Sequence, residues 1–255
     1  MEFYIHSNRY FMREEENRAF SLMVLATNQM LEFDRSLRPL LNVTDRWVDY
    51  DYFARVLQMT GFGGKKVTAR LERAVFSLHA TGLADLKDVP SFGGTGIRWA
   101  AVRDIYALSG FCLANLEKSR SCTVTLRKQY YSCVSFYARM EQGAEYYLMK
   151  EKDGEIRAVA MFGLSYRYFG SRVFELRSVV FADGMDDAAC RETVSELASY
   201  ARTKLKDKIR KLRYEYINPR QAFMVEAIKA AGFRETAHFR KELKSGADLV
   251  LLDLA

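Results

Sequence analysis

The stretch "VFELRSVVFADGMDDAACRE", Val173 to Glu192, changes texture halfway along. Its first half is apolar and β-branched, as in a buried strand. Its second half opens the long helical pattern "DDAACRETVSELASYARTKLKDKI". A strand that turns directly into a helix aims free backbone N–H groups outward, a ready site for an anion. Turns of that kind are usually rich in glycine and poor in acid. This one holds Gly184 alone, with Asp183, Asp186 and Asp187 around it. Aspartate at a helix start caps N–H groups and suits the helix dipole, so the acids have a structural use of their own.

Working outward, "EYYLMKEKDGEIRAVAMFGLSYRYFG" reads as two strands joined at Lys152-Asp153-Gly154, where Asp-Gly marks a tight hairpin. Before them come a short strand, "GIRWAAV", and two helices, "RDIYALSGFCLANLEK" and "LRKQYYSCVSFYARMEQ". After the central helix come the strand "KLRYEYIN", the helix "RQAFMVEAIKAAGF", and a closing strand pair in "RETAHFRKEL" and "ADLVLLDLA". The predicted order is β-α-α-β-β-β-α-β-α-β-β, over residues 96–255.

"VPSFGGTG", Val89 to Gly96, is the clearest punctuation in the chain. Ahead of it, residues 1–95 read as mainly helical. "EENRAFSLMVLATNQMLEF" sets Phe20, Met23, Val24, Met30 and Leu31 near one face of a helix, and "YDYFARVLQMTG" gives a second. "KKVTARLERAVFSLHATG" gives a third, capped at Gly82. A helix, the turn "GFGGKK" and a helix with a basic start are compatible with a winged helix-turn-helix, as well as with any small helical bundle.

The chain carries 39 Lys and Arg against 32 Asp and Glu, a net +7 with a pI near 9.2. Residues 1–95 hold 12 of each sign, so the whole excess lies in residues 96–255. A basic half points to an anionic partner: a phosphorylated ligand, nucleic acid or an acidic protein. The strongest run is "RTKLKDKIRKLR", Arg202 to Arg213, with seven basic residues against Asp207. It either complements the dipole at a helix C-terminus or forms a patch for RNA, tRNA or DNA.

Cys112, Cys122, Cys133 and Cys190 form no C-x-x-C pair, and His6, His79 and His238 are scattered, so no metal constellation is expected. The start lacks the pattern of a signal peptide, and no apolar run reaches the length of a membrane span. The expectation is a cytoplasmic protein that makes no use of a membrane.

The order of elements after Gly96, with these residues, resembles the GNAT family of acyl-CoA-dependent N-acyltransferases. "IRWAAVRDIYAL", with Ile97, Arg98 and Asp104, is similar to that family's opening strand and helix. "VFELRSVVFADG" is similar to its fourth strand, and "KAAGFRETAHFRKEL" to its closing helix, Gly-Phe stop (Gly232, Phe233) and strand. The resemblance implies a GNAT-like mixed α/β domain behind the helical N-terminal one. Its donor would be acetyl-CoA or another acyl-CoA, with no metal, and its acceptor an amine.

It also implies roles for particular residues. The backbone of Val179, Val180 and Phe181 would pair with the donor's pantetheine arm between two splayed parallel strands, Val180 steadying the thioester oxygen. The family's phosphate-binding pattern falls on Met185, Ala188 and Cys190, where its polar side chain and first glycine are replaced, and Arg191 could compensate. Asn218 resembles an asparagine that follows the fifth strand, three residues early. The family's usual tyrosine acid is replaced by Ile228, which leaves Tyr214 or Tyr216 as substitutes; Tyr216 is the one assigned. Glu175 would be the base. Two competing readings remain open: a degenerate GNAT-like module that binds nucleic acid or protein, and acyl transfer from a charged tRNA or carrier protein.

Overall fold

The computed structural model describes residues 1–15, 19–59, 66–89, 93–117, 121–122, 125–164, 172–206, 208–216, 222–242 and 248–254. They form two compact units. Met1–Phe92 is joined by Ala101–Tyr106, and Gly93–Ala100 by Ala107–Ala255.

The first unit contains β1 (Glu2–Ile5), β2 (Tyr10–Glu14), β3 (Ala19–Val24), β4 (Gln29–Asp34), β5 (Trp47–Asp49), α1 (Tyr50–Met59), α2 (Val67–Ala80) and β6 (Ala84–Lys87). It is therefore α+β, which corrects the mainly helical reading. The helix expected over "EENRAFSLMVLATNQMLEF" is instead the hairpin β3–β4. Its buried apolar residues are Phe20, Leu22 and Val24 on one strand and Leu31 and Phe33 on the other, a period of two. The helical stripe had mixed residues from the two faces. Asn28, in the left-handed region at φ 53°, turns the chain, and Phe20 stacks on its cross-strand partner Phe33 at 5.4 Å.

The predicted α1 and α2 are both present. The chain leaves α2 through Gly82 at φ 76°, with the Leu83 N–H donating to the Leu78 carbonyl. The strand after α2, β6, pairs with β1 at the chain start, in a sheet of order β5-β1-β6. A wing would need a hairpin there, so the winged-helix arrangement is not formed among the described residues. Arg70 is paired with Asp34 at 3.5 Å, and the "GFGGKK" turn up to Lys65 lies outside the described residues.

The second unit follows the predicted order. It comprises β7 (Gly96–Trp99), α3 (Ile105–Asn115, whose first two residues group with the first unit), α4 (Cys133–Glu141), β8 (Tyr146–Lys152), β9 (Glu155–Leu164), β10 (Val173–Phe181), α5 (Asp187–Leu205), β11 (Lys211–Tyr216), α6 (Ala222–Ala230), β12 (Arg234–Phe239) and β13 (Leu249–Leu254). The sheet runs β12-β13-β11-β10-β9-β8-β7, antiparallel except for β10 against β11. Asp153 (φ 54°) and Gly154 (φ 81°) make the two-residue hairpin turn, which needs two positive φ values.

α5 and α6 cover one face of this sheet, where Val194, Leu197 and Ile228 pack with Phe174, Leu176 and Leu212. α4 covers the other, Phe136 meeting Tyr147 edge-on at 4.8 Å. Gly232 (φ 93°) stops α6, and Phe233 is buried behind it, as the Gly-Phe pair suggested.

Candidate functional site

β10 and β11 are parallel partners only where Val173–Glu175 faces Lys211–Arg213. Beyond that the two strands part. β11 keeps its pairing with β13 as far as Tyr216, while β10 runs on to Phe181 along β9. The register on β9 shifts between Leu176 and Ser178, a bulge centred on Arg177. An opening therefore lies between the carboxyl ends of two parallel strands, where ligands bind in many α/β folds.

Past the bulge, Val179 and Phe181 turn their backbone groups into this opening, and Val180 turns its own toward β9. The alternation is fixed by Val179, both of whose backbone groups are hydrogen-bonded away from β9. Val180 therefore does not offer an N–H to the opening, which corrects the role assigned to it.

The partner of Val179 is Cys122. The Cys122 N–H donates to the Val179 carbonyl and the Val179 N–H to the Cys122 carbonyl, both at 2.8 Å. The Phe181 N–H donates to the Ser121 hydroxyl at 3.2 Å. Across the opening, the Cys122 sulfur lies 3.3 Å from the hydroxyl of Tyr214 on β11. Cys122 is 5% exposed and Tyr214 2%. One short extended piece of this chain thus pairs with β10 and touches β11.

Part of the turn into α5 is satisfied from within the chain in the same way. The Asp183 N–H donates to Asn115 Oδ1 at 3.0 Å, and the Gly184 N–H to the Asp183 carboxylate at 3.1 Å. Asp186 is the N-cap of α5, accepting from the Ala189 N–H at 2.8 Å. Met185 and Cys190 bury their side chains, Ala188 is exposed in the first turn, and the Arg191 guanidinium lies over the Phe223 ring at 5.6 Å. Asn218 and the side chain of Tyr216 lie outside the described residues.

Glu175 is on the α4 face of β10, 3.7 Å from Arg177 Nε. It borders a buried charge cluster with no counterpart in the sequence reading. Glu145, 1% exposed, accepts from Arg139 at 2.8 Å, Arg177 at 3.0 Å and the Tyr147 hydroxyl at 2.8 Å, and also from the Tyr130 hydroxyl. Burial, and then the Glu145 charge, push the phenols of Tyr130 and Tyr147 well above the ordinary tyrosine range. Both therefore act as neutral donors to the carboxylate. The ion pairs join α4, the residue just before β8, and β10, so no spacing along one element could have revealed them.

The basic run is partly turned inward. Arg213 donates to Asp253 at 2.8 and 3.0 Å, and Lys211 bonds the same carboxylate, as does Thr236 at 2.9 Å. Burial alone would raise the Asp253 carboxyl, but these hydrogen bonds outweigh it and hold it below its ordinary value. Lys204, Lys206, Lys208 and Arg210 remain exposed, a smaller patch than the sequence suggested. Among the described residues, no group of three His, Cys, Asp or Glu could hold a metal, and no helix is long and apolar enough to cross a membrane.

The chain matches no protein-family model and no curated protein. It is similar to solved structures of N-acetyltransferases. One is a ribosomal-protein-alanine N-acetyltransferase from Brucella melitensis, 21% identical, covering 62% of this chain and 98% of that one with a TM-score of 0.44. Another is an N-acetyltransferase from Staphylococcus aureus Mu50, 16% identical, covering 62% and 96% with a TM-score of 0.46. A third is a mutant spermidine N-acetyltransferase from Vibrio cholerae, 14% identical, covering 62% and 93% with a TM-score of 0.45.

Proposed function

We propose that the second unit is an N-acyltransferase that takes an acyl group, acetyl in the first instance, from a CoA thioester and passes it to an amine. The observation that carries this is the parting of β10 from β11 after Glu175, with α5 following at Asp187. The edge so opened suits an amide-bearing arm, which would add to β10 as a strand. Cys122 stands in for such an arm: its peptide groups exchange two hydrogen bonds with Val179, and its sulfur lies beside a phenol. The turn suits a diphosphate less well, because the carboxylates of Asp183 and Asp186 occupy N–H groups there. In this reading the arm binds along β10, and α5 accepts the phosphates only through its dipole.

A bound thioester supplies an activated carbonyl. The chain's own residues hold it and move protons. Val179 replaces Val180 as the N–H donor on the open edge. Glu175 takes a proton from the incoming amine, directly or through water. Tyr216, or Tyr214 two residues before it on β11, returns one to the departing sulfur.

Calorimetric titration of the full chain with acetyl-CoA tests the reading, followed by detection of free thiol with candidate amines. Micromolar binding supports it, and absence of binding at millimolar acetyl-CoA would sink it. A second reading has an observation of its own: an edge filled from within also suits a binding module that has given up the chemistry. That reading takes over if no acyl-CoA binds, and the exposed cations from Lys204 to Arg210 are then the first surface to test with RNA and tRNA, across a salt series.

A further inference from the structure

We propose that Ser121–Cys122 is a built-in competitor for the donor site, a strap that must leave β10 before an acyl-thioester arm can enter. The proposal rests on the donor reading above and adds regulation to it. A strand edge has one set of backbone groups at each residue, and those of Val179 are already exchanged with Cys122 at 2.8 Å in both directions. Phe181, the next residue on that edge, gives its N–H to Ser121. The strap and an extended arm therefore exclude one another along the same two residues.

The strap also resembles an arm in its chemistry. It carries an amide that both donates and accepts, and a sulfur that reaches the Tyr214 hydroxyl across the opening. Cys122 is buried in this position and packs with the core under α5 and α6, which stabilises the strap-in state. Occupation is thus a competition between an intramolecular segment and a ligand, and apparent donor affinity falls with the fraction of molecules in the strap-in state. Anything that withdraws Ser121–Cys122 raises donor affinity without touching the donor's own contacts.

Two measurements on the full chain separate this proposal from the reading beneath it. The first is alkylation of the natural protein by iodoacetamide, followed residue by residue by peptide mass spectrometry, with and without acetyl-CoA. Cys112, 0% exposed and outside the proposed donor site, is the internal reference. Saturating acetyl-CoA is expected to speed alkylation of Cys122 several-fold while Cys112 stays constant.

The second is calorimetric titration of Cys122→Pro, which lacks the N–H that pairs with Val179. It is expected to bind acetyl-CoA roughly fivefold more tightly than the natural chain, the scale of one net hydrogen bond. Ser121→Gly, milder in its effect on folding, is expected to shift affinity in the same direction by less. Equal affinities, with Cys122 no more reactive when acetyl-CoA is bound, would overturn the strap and leave the donor reading standing. No binding to any of the three proteins would overturn both.

Discussion

At Gly163 on β9, an added Cβ would stand 2.3 Å from the guanidinium carbon of Arg177. Arg177 cannot simply swing away, because it is tied to Glu145 and to the Leu164 carbonyl, each at 3.0 Å. Gly163→Ala is therefore expected to cost about 1–3 kcal/mol, the usual range for overpacking, read from the urea midpoint. An unchanged midpoint would mean that Arg177 has a second resting place. Glu145→Gln keeps the shape but leaves Arg139 and Arg177 without their shared anion, and should cost about 3–5 kcal/mol. None of this was legible in the sequence. Glu145 reads as a single acid before an apolar strand, and Arg139 as a cation in a helix. Arg139 lies six residues from Glu145, but Arg177 lies 32 away on β10, so the cluster assembles only once the sheet register is set.

The helix α5 shows the opposite case. Its start, its cap and its acidic first turn could all be read from "DGMDDAAC", because a cap is a local hydrogen bond. The β8–β9 hairpin was legible for the same reason, since Asp-Gly supplies both left-handed residues. The β3–β4 hairpin was not. In a segment that short, apolar residues two apart and three or four apart fall on overlapping positions, and Asn28 was the one local sign of a turn. At α5 the cap and the donor site want different things. Asp186→Ala should lower stability by about 1 kcal/mol through the lost cap. It should also tighten acetyl-CoA binding by removing a carboxylate from the path of the phosphates. Urea unfolding and calorimetry on the one variant read both signs. A fall in both would mean that Asp186 contributes to the bound state.

For the whole chain, the sequence of elements after Gly96 was legible because each helix and strand there has its own period and its own turn chemistry. The division into units was legible only in part. "VPSFGGTG" marks the neighbourhood of the boundary, but the chain returns to the first unit at Ala101–Tyr106 after contributing β7 to the second. A return of this kind has no local signature, since it depends on contacts with α2 far earlier in the chain. There the turn Val102–Asp104 packs against α2, Arg103 pairs with Glu72 at 3.3 Å, and Tyr106 lies against His79 at 5.5 Å. A fragment ending at residue 95 loses all three, whereas one ending at residue 106 keeps them and carries β7 only as a tether. The longer fragment is therefore expected to unfold at a higher urea concentration, being more stable by on the order of 1 kcal/mol for one half-buried ion pair and a few partly buried side chains. Equal midpoints would mean that the return segment merely passes over α2, and that residue 95 is a sufficient end for the first unit.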